Sequence, residues 1–140
     1  MSNIYDFYDW QDTLIDEIKN NIHTAMPAKV IKYNKDQNKV DLQPLIKKID
    51  NDGNYFDIPP LYNVPVNLIR AGGFSITMPI KPGDLGIINF MERDIDNYKS
   101  IGNSQVPQNI RTHSLNDGVF SPGLYPFSNS LPNISDNSMV

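Results

Sequence analysis

Turn-forming clusters cut residues 28–98 into pieces too short for anything but strands. Asn34-Lys35-Asp36-Gln37-Asn38, Asp50-Asn51-Asp52-Gly53-Asn54, Ala71-Gly72-Gly73 and Pro82-Gly83-Asp84 each gather residues that tolerate positive φ or preset a bend. Residues 28–33 read as the first strand. Lys39-Val40-Asp41-Leu42-Gln43 alternates, with Val40 and Leu42 facing inward, and this strand runs on toward Ile49. Residues 55–58 follow the second turn. Val64-Pro65-Val66 with Leu68-Ile69 reads as a strand that Pro65 places at an edge or an entry. Phe74-Ser75-Ile76-Thr77-Met78 alternates again, and Leu85-Gly86-Ile87-Ile88-Asn89-Phe90 is the most apolar of the set. Five or six short strands at this spacing predict a small closed barrel.

The chain has 140 residues, about one domain. It carries 12 Lys and Arg against 16 Asp and Glu, a net charge of −4, which argues against a general nucleic-acid coat. With no cysteine, disulfides, thiol nucleophiles, zinc ribbons and iron–sulfur ligation are excluded. No apolar run approaches the roughly 20 residues of a spanning helix. The start is acidic and aromatic, without the basic residues and apolar run of a signal peptide, so the expectation is a cytoplasmic product that does not enter a secretory pathway by itself.

Two flanks differ from this β region. Residues 4–22 predict an amphipathic helix: Ile4, Phe7, Tyr8, Leu14, Ile15, Ile18 and Ile22 form one stripe, and Asp6, Asp9, Asp12, Asp16 and Glu17 lie opposite. Acids crowd its start, which suits the helix dipole, and Pro27 ends the pattern. Ile4, Tyr8, Gln11, Ile15, Ile18 and Ile22 also step as a short heptad seam, and isoleucine at both core positions favours three strands. The competing reading is a helix packed on its own domain. Residues 101–140 carry Pro107, Pro122, Pro126 and Pro132 among Asn, Ser and Gly, with apolar residues arriving singly. They read as an extended tail, or the start of a shaft, that cannot bury itself alone. The organisation expected is therefore a helix over 1–25, a barrel over 26–100 and a tail over 101–140.

Little here points to chemistry. Asp50-Asn51-Asp52-Gly53-Asn54 resembles a calcium loop at first, but Tyr55 and Leu61 stand where the glycine and the bidentate acid belong, so it reads as a hairpin turn. Asp94-Ile95-Asp96, with Glu92 nearby, places two carboxylates together without a histidine or second acidic cluster tied to them. His23 and His113 have no ligand partner at metal spacing. No nucleophile elbow, phosphate loop or paired-histidine zinc motif is present. Asn133-Ile134-Ser135 matches the glycosylation pattern by chance. No catalytic, cofactor or metal residue is assigned, and no small-molecule substrate is expected. The sharpest alternative is a single-stranded nucleic-acid barrel: Lys29, Lys32, Lys35, Lys39, Lys47 and Lys48 face only Asp36 and Asp41, and Tyr33 and Tyr55 are candidates for stacking bases. The aromatics do not interleave with the lysines as a stacking platform requires, and the acidic total weighs against this reading.

Several pieces, in order, resemble a phage family. They are Ala28-Lys29-Val30-Ile31-Lys32-Tyr33, Val40-Asp41-Leu42-Gln43-Pro44, Val64-Pro65-Val66, Ser75-Ile76-Thr77-Met78-Pro79, Lys81-Pro82-Gly83-Asp84-Leu85-Gly86, Glu92-Arg93-Asp94-Ile95-Asp96 and His113-Ser114-Leu115-Asn116-Asp117-Gly118-Val119. Over roughly residues 26–120 the chain resembles the N-terminal domain of the membrane-puncturing central spike proteins of contractile phage tails. The resemblance implies an oligonucleotide/oligosaccharide-binding (OB) barrel, a homotrimer under the baseplate hub and a location in the virion. It implies that Gly83 and Gly86 permit a turn and close strand packing, that Asp84 caps the turn reached through Pro82, and that Asp94 and Asp96 are a loop feature of the fold. The family's β-helical needle, and the His-x-His pair by which related needles hold a tip iron, are not found in these residues. The expectation is thus a shortened spike, an adaptor between the tail hub protein and a separate spike-tip protein, or a piece of a longer product, meeting the host envelope during infection. Ile15, Ile18, Ile22, Leu115, Val119 and Phe120 are the expected trimer or partner contacts.

Overall fold

The structure, a computed structural model, describes residues 4–50 and 52–129. Its centre is a five-stranded antiparallel sheet in the order β5-β2-β1-β8-β9. The strands are β1 (Ala25–Asn34), β2 (Lys39–Pro44), β5 (Leu61–Pro65), β8 (Leu85–Phe90) and β9 (Gly118–Pro122). Two small hairpins stand outside it, β3 (Lys48–Ile49) with β4 (Tyr55–Phe56), and β6 (Arg70–Ala71) with β7 (Phe74–Ser75). Helix α1 (Ile4–Asn21) precedes the barrel, and α2 (Asp96–Ile101) follows β8.

Alternation decides which side chains face inward. In β2 and β8 every second residue is buried: Val40, Leu42 and Pro44, then Gly86, Ile88 and Phe90. Ala28 and Val30 do the same from β1. The ladder slips between Val30 and Lys32 and between Val40 and Leu42. Such slips bend strands and sharpen their twist, which curls the sheet. The curl brings the sheet's ends together: Val66, just after β5, bridges Phe120 of β9 in parallel, and Asn67 N–H donates to the Phe120 carbonyl at 2.7 Å. The result is a mostly β, OB-type barrel with an N-terminal helix, as expected from the sequence. Its core holds Val30, Val40, Leu42, Val64, Val66, Ile80, Ile88, Phe90 and Phe120.

The barrel does not end at residue 100. β9, in the segment read as tail, pairs with β8 from Phe90↔Gly118 to Gly86↔Pro122. Phe120 is wholly buried in its own chain's core, so its assignment as a partner contact is corrected. Leu115 packs half-buried against the same core, and Val119 is half-buried. The alternation is hidden because an inward position of β9 is Gly118, where a Cβ would meet Ile88 at 2.7 Å. A glycine carries no apolar signal, yet this site has room for nothing else. Residues beyond 129, with the apolar Leu131 and Ile134 and the Asn133-Ile134-Ser135 match, lie outside the described residues, as does Asn51 of the second turn.

The alternation at residues 74–78 has the opposite outcome. Only Phe74 and Ser75 pair, with Ala71 and Arg70, and Phe74 is 82% exposed. An alternating pattern needs a neighbouring strand to become sheet, and the Gly72-Gly73 turn supplies only a short one.

Candidate functional site

The chain leaves β8 at Phe90, turns through Asp94 into α2, and returns past Asn109 to β9. Arg111 pins the two limbs together. Its Nε and Nη2 donate to both oxygens of Asp117, at 2.8 and 2.9 Å, and Nη2 also donates to Asp94 Oδ1 and Asp96 Oδ2, each at 3.1 Å. The Asp94 and Asp117 side chains are completely buried, whereas Arg111 keeps 25% of its side chain exposed. The remaining carboxylate oxygens are satisfied as burial requires. Asp94 accepts from Asp96 N–H at 2.8 Å and from the backbone and side chain of Asn109 at 2.7 and 2.9 Å. Asp117 accepts from Ile95 N–H at 3.3 Å. Lys99 closes the outer side through Asp96 at 3.1 Å.

This arrangement sets the charges. The Asp96 amide, then Asn109 and the Arg111 cation, hold the Asp94 carboxyl below its ordinary range. The Asp117 carboxylate, against the opposing effect of burial, drives Arg111 above its already high value. Asp94, Asp96 and Asp117 have the spacing of a cation site. The guanidinium already supplies the cation, bonded in the bidentate fork that carboxylates favour. The cluster is a clasp that fixes the β8–α2 turn against the strand closing the barrel. Reading the sequence singled out Asp94 and Asp96 but missed Arg111 and Asp117. The available signal was Arg111 itself, the sole Lys or Arg from residue 101 onward.

The Pro82-Gly83-Asp84 turn has Gly83 at φ 94°, and Asp84 Oδ2 accepts from Lys81 N–H at 2.8 Å. A Cβ at Gly86 would collide with the Ser121 carbonyl and stand 2.6 Å from the Phe120 ring. These glycines position the turn and the core; they do not form a ligand site. A cleft between β5 and the approach to β9 is lined by Leu61, Asn63, Leu115 and Asn116, with Tyr62 and Lys99, and Lys99 is paired with Asp96. On the basic face, Lys47 is paired with Asp57 at 3.1 Å, and the Tyr33 hydroxyl donates to Asn38 Oδ1 at 3.0 Å.

What distinguishes the surface is apolar exposure. Ile110 and Phe127 are essentially fully exposed, as are most of Val106, Phe74 and Ile69. No residue of α1 is buried, and Ile15 and Ile18, with Ile22 just beyond, stand in solvent. At the base of α1, His23 lies edge-on to Phe90; partial burial and then the Lys48 charge lower its pKa.

A family model described as the phage protein Gp138 N-terminal domain matches residues 26–123. The chain belongs to that family. The match begins inside β1 and ends just past β9, so it takes in the barrel and the clasp and leaves α1 outside. The phage resemblance read over residues 26–120 is thereby borne out. No curated protein matches the chain.

Proposed function

We propose that this phage protein is a non-catalytic structural subunit of the virion: a central-spike or hub-adaptor protein at the tail baseplate, working as a homotrimer. It would join the tail hub protein to a spike-tip protein and take part in piercing the host envelope. The observation that carries this reading is the apolar surface, in a chain of this family. Isolated exposed apolar residues are ordinary, but contiguous ones mark protein interfaces. Here Ile69, Phe74 and Ile76 crowd one hairpin, where Ile76 N–H donates to the Ile69 carbonyl; Val106 and Ile110 are exposed on the loop returning to β9, and Leu124 and Phe127 on the segment after it.

The mechanism is mechanical. Axial load enters through the five-stranded ladder, whose two edges meet at the Val66–Phe120 bridge, so it is shared by the hydrogen bonds of the curled sheet. The Arg111 clasp keeps the β8–α2 turn from peeling off the strand that completes closure. Light scattering on the purified chain should give three times the monomer mass, and labelling of the particle should place it at the baseplate. A chain that stays monomeric at high concentration and is missing from purified tails would overturn the proposal.

A further inference from the structure

The helix outside the family domain has an apolar stripe in solvent, and the barrel has a groove of matching character. Ile46, Ile49, Phe56, Met26 and Ile58 supply the groove's apolar lining; Lys19 and Lys48 supply its open charge, while Lys47, also on the lining, is paired with Asp57 at 3.1 Å. Ile46, Ile49 and Phe56 are each about half exposed. The chain's own α1 provides one wall, through Lys19 and Asn20, while Leu14, Ile15 and Ile18 remain in water. An occupant needs an apolar face edged by carboxylates. α1 has that composition: Asp12 and Glu17 border the stripe formed by Leu14, Ile15 and Ile18, as their positions at 100° per residue place them.

We propose that α1 of a second copy of this chain docks its apolar stripe into this groove, with its bordering carboxylates against Lys19 and Lys48. This rests on the self-assembly proposed above and specifies how copies are joined: each lends its helix to a neighbour's barrel. Apolar burial supplies the affinity, and the charges set partner and orientation. The short heptad seam of α1 offers a rival arrangement, three helices packed on each other.

The chain has no cysteine, so introduced thiols report unambiguously. Chains carrying Tyr8→Cys, Ile15→Cys or Ile18→Cys, one at a time, are co-expressed with a differently tagged Ile49→Cys chain and oxidised. All four sites are surface positions, which spares folding. A disulfide needs Cα atoms within about 7 Å. The expected result is a helix-to-groove dimer for at least one pair. Its yield should drop severalfold when the groove chain also carries Lys48→Glu, and recover when the helix chain carries Glu17→Lys. Helix-to-helix disulfides without helix-to-groove ones overturn the inference in favour of the three-helix seam. A trimer by light scattering with neither disulfide also overturns it, leaving the groove to another tail protein and the assembly proposal intact. A monomer without cross-links overturns both.

Discussion

Arg111 carries more of the molecule than its position in an irregular, proline-rich segment indicates. It is bonded to three carboxylates, two of them completely buried. Replacing it with methionine would keep the packing of the stem and strand those charges. Breaking a buried ion pair typically costs about 3–5 kcal/mol; with Arg111 a quarter exposed, the lower end, about 3 kcal/mol, is expected for Arg111→Met in urea unfolding. A change under about 0.5 kcal/mol, normal for a surface site, would show that the clasp is ornamental. The same contacts dictate a pH dependence. Asp94 titrates below its ordinary 3.8 when folded, so its contribution is present above that value and is lost as pH falls through the lower folded pKa. Urea midpoints in wild-type protein should therefore fall on acidification below about pH 4. That slope should be shallower in Arg111→Met, where one cause of the depression is gone.

At the scale of elements, β9 decides whether there is a barrel at all. Phe120 fills the centre, against the space that Gly86 leaves empty. Phe120→Ala should cost about 3–5 kcal/mol, as truncation of a buried aromatic does. Gly86→Ala should be destabilising through overpacking, and only partly less so in a Phe120→Leu background, which clears the ring but not the Ser121 carbonyl. Hydrogen exchange should find the amides of residues 118–121 protected along with those of 85–90, with the amides of 103–106 and 108 exchanging freely. Equal, rapid exchange through 103–122 would contradict β9 as a barrel strand. The reason this element was illegible from sequence is local. β2 and β8 each keep two large apolar residues at inward positions, Val40 with Leu42 and Ile88 with Phe90, even though β8 also holds Gly86, whereas β9 has Phe120 alone beside Gly118. Likewise Asp94 and Asp96 are visible as neighbours, but their partner stands fifteen or more residues away, across a returning loop. The helix was fully legible, since its stripe follows from period alone. What that stripe packs against was not, because no residue of α1 is buried within its own chain.

At the scale of the whole molecule, the charges are segregated rather than merely acidic. The acids Asp6, Asp9, Asp12, Asp16 and Glu17 of α1 outweigh Lys19, whereas Lys29, Lys32, Lys35, Lys39, Lys47 and Lys48 outweigh Asp36 and Asp41 across the first strands. A basic face on an OB-type barrel invites the idea of single-stranded DNA. Binding of that kind also needs aromatic faces on which bases stack. Tyr33 is half-buried with its hydroxyl bonded to Asn38, which leaves Tyr55, exposed on the β3–β4 hairpin, as the one of the two candidates with an open face; Lys47 is partnered by Asp57, and the net charge of −4 opposes approach of any polyanion. At the groove, where Lys48 and Lys19 lie, an acidic helix from a neighbouring copy is a better counter-charge, since it also brings apolar surface. Single-stranded DNA should accordingly bind more weakly than about 10⁻⁴ M at physiological salt, below the range of proteins that bind it non-specifically. Fluorescence anisotropy with a labelled oligonucleotide, titrated at two salt concentrations, measures this. A micromolar Kd that weakens steeply with salt, and is lost when Lys32, Lys35 and Lys39 become alanine, would make the basic face a nucleic-acid surface and remove the structural reading of this barrel.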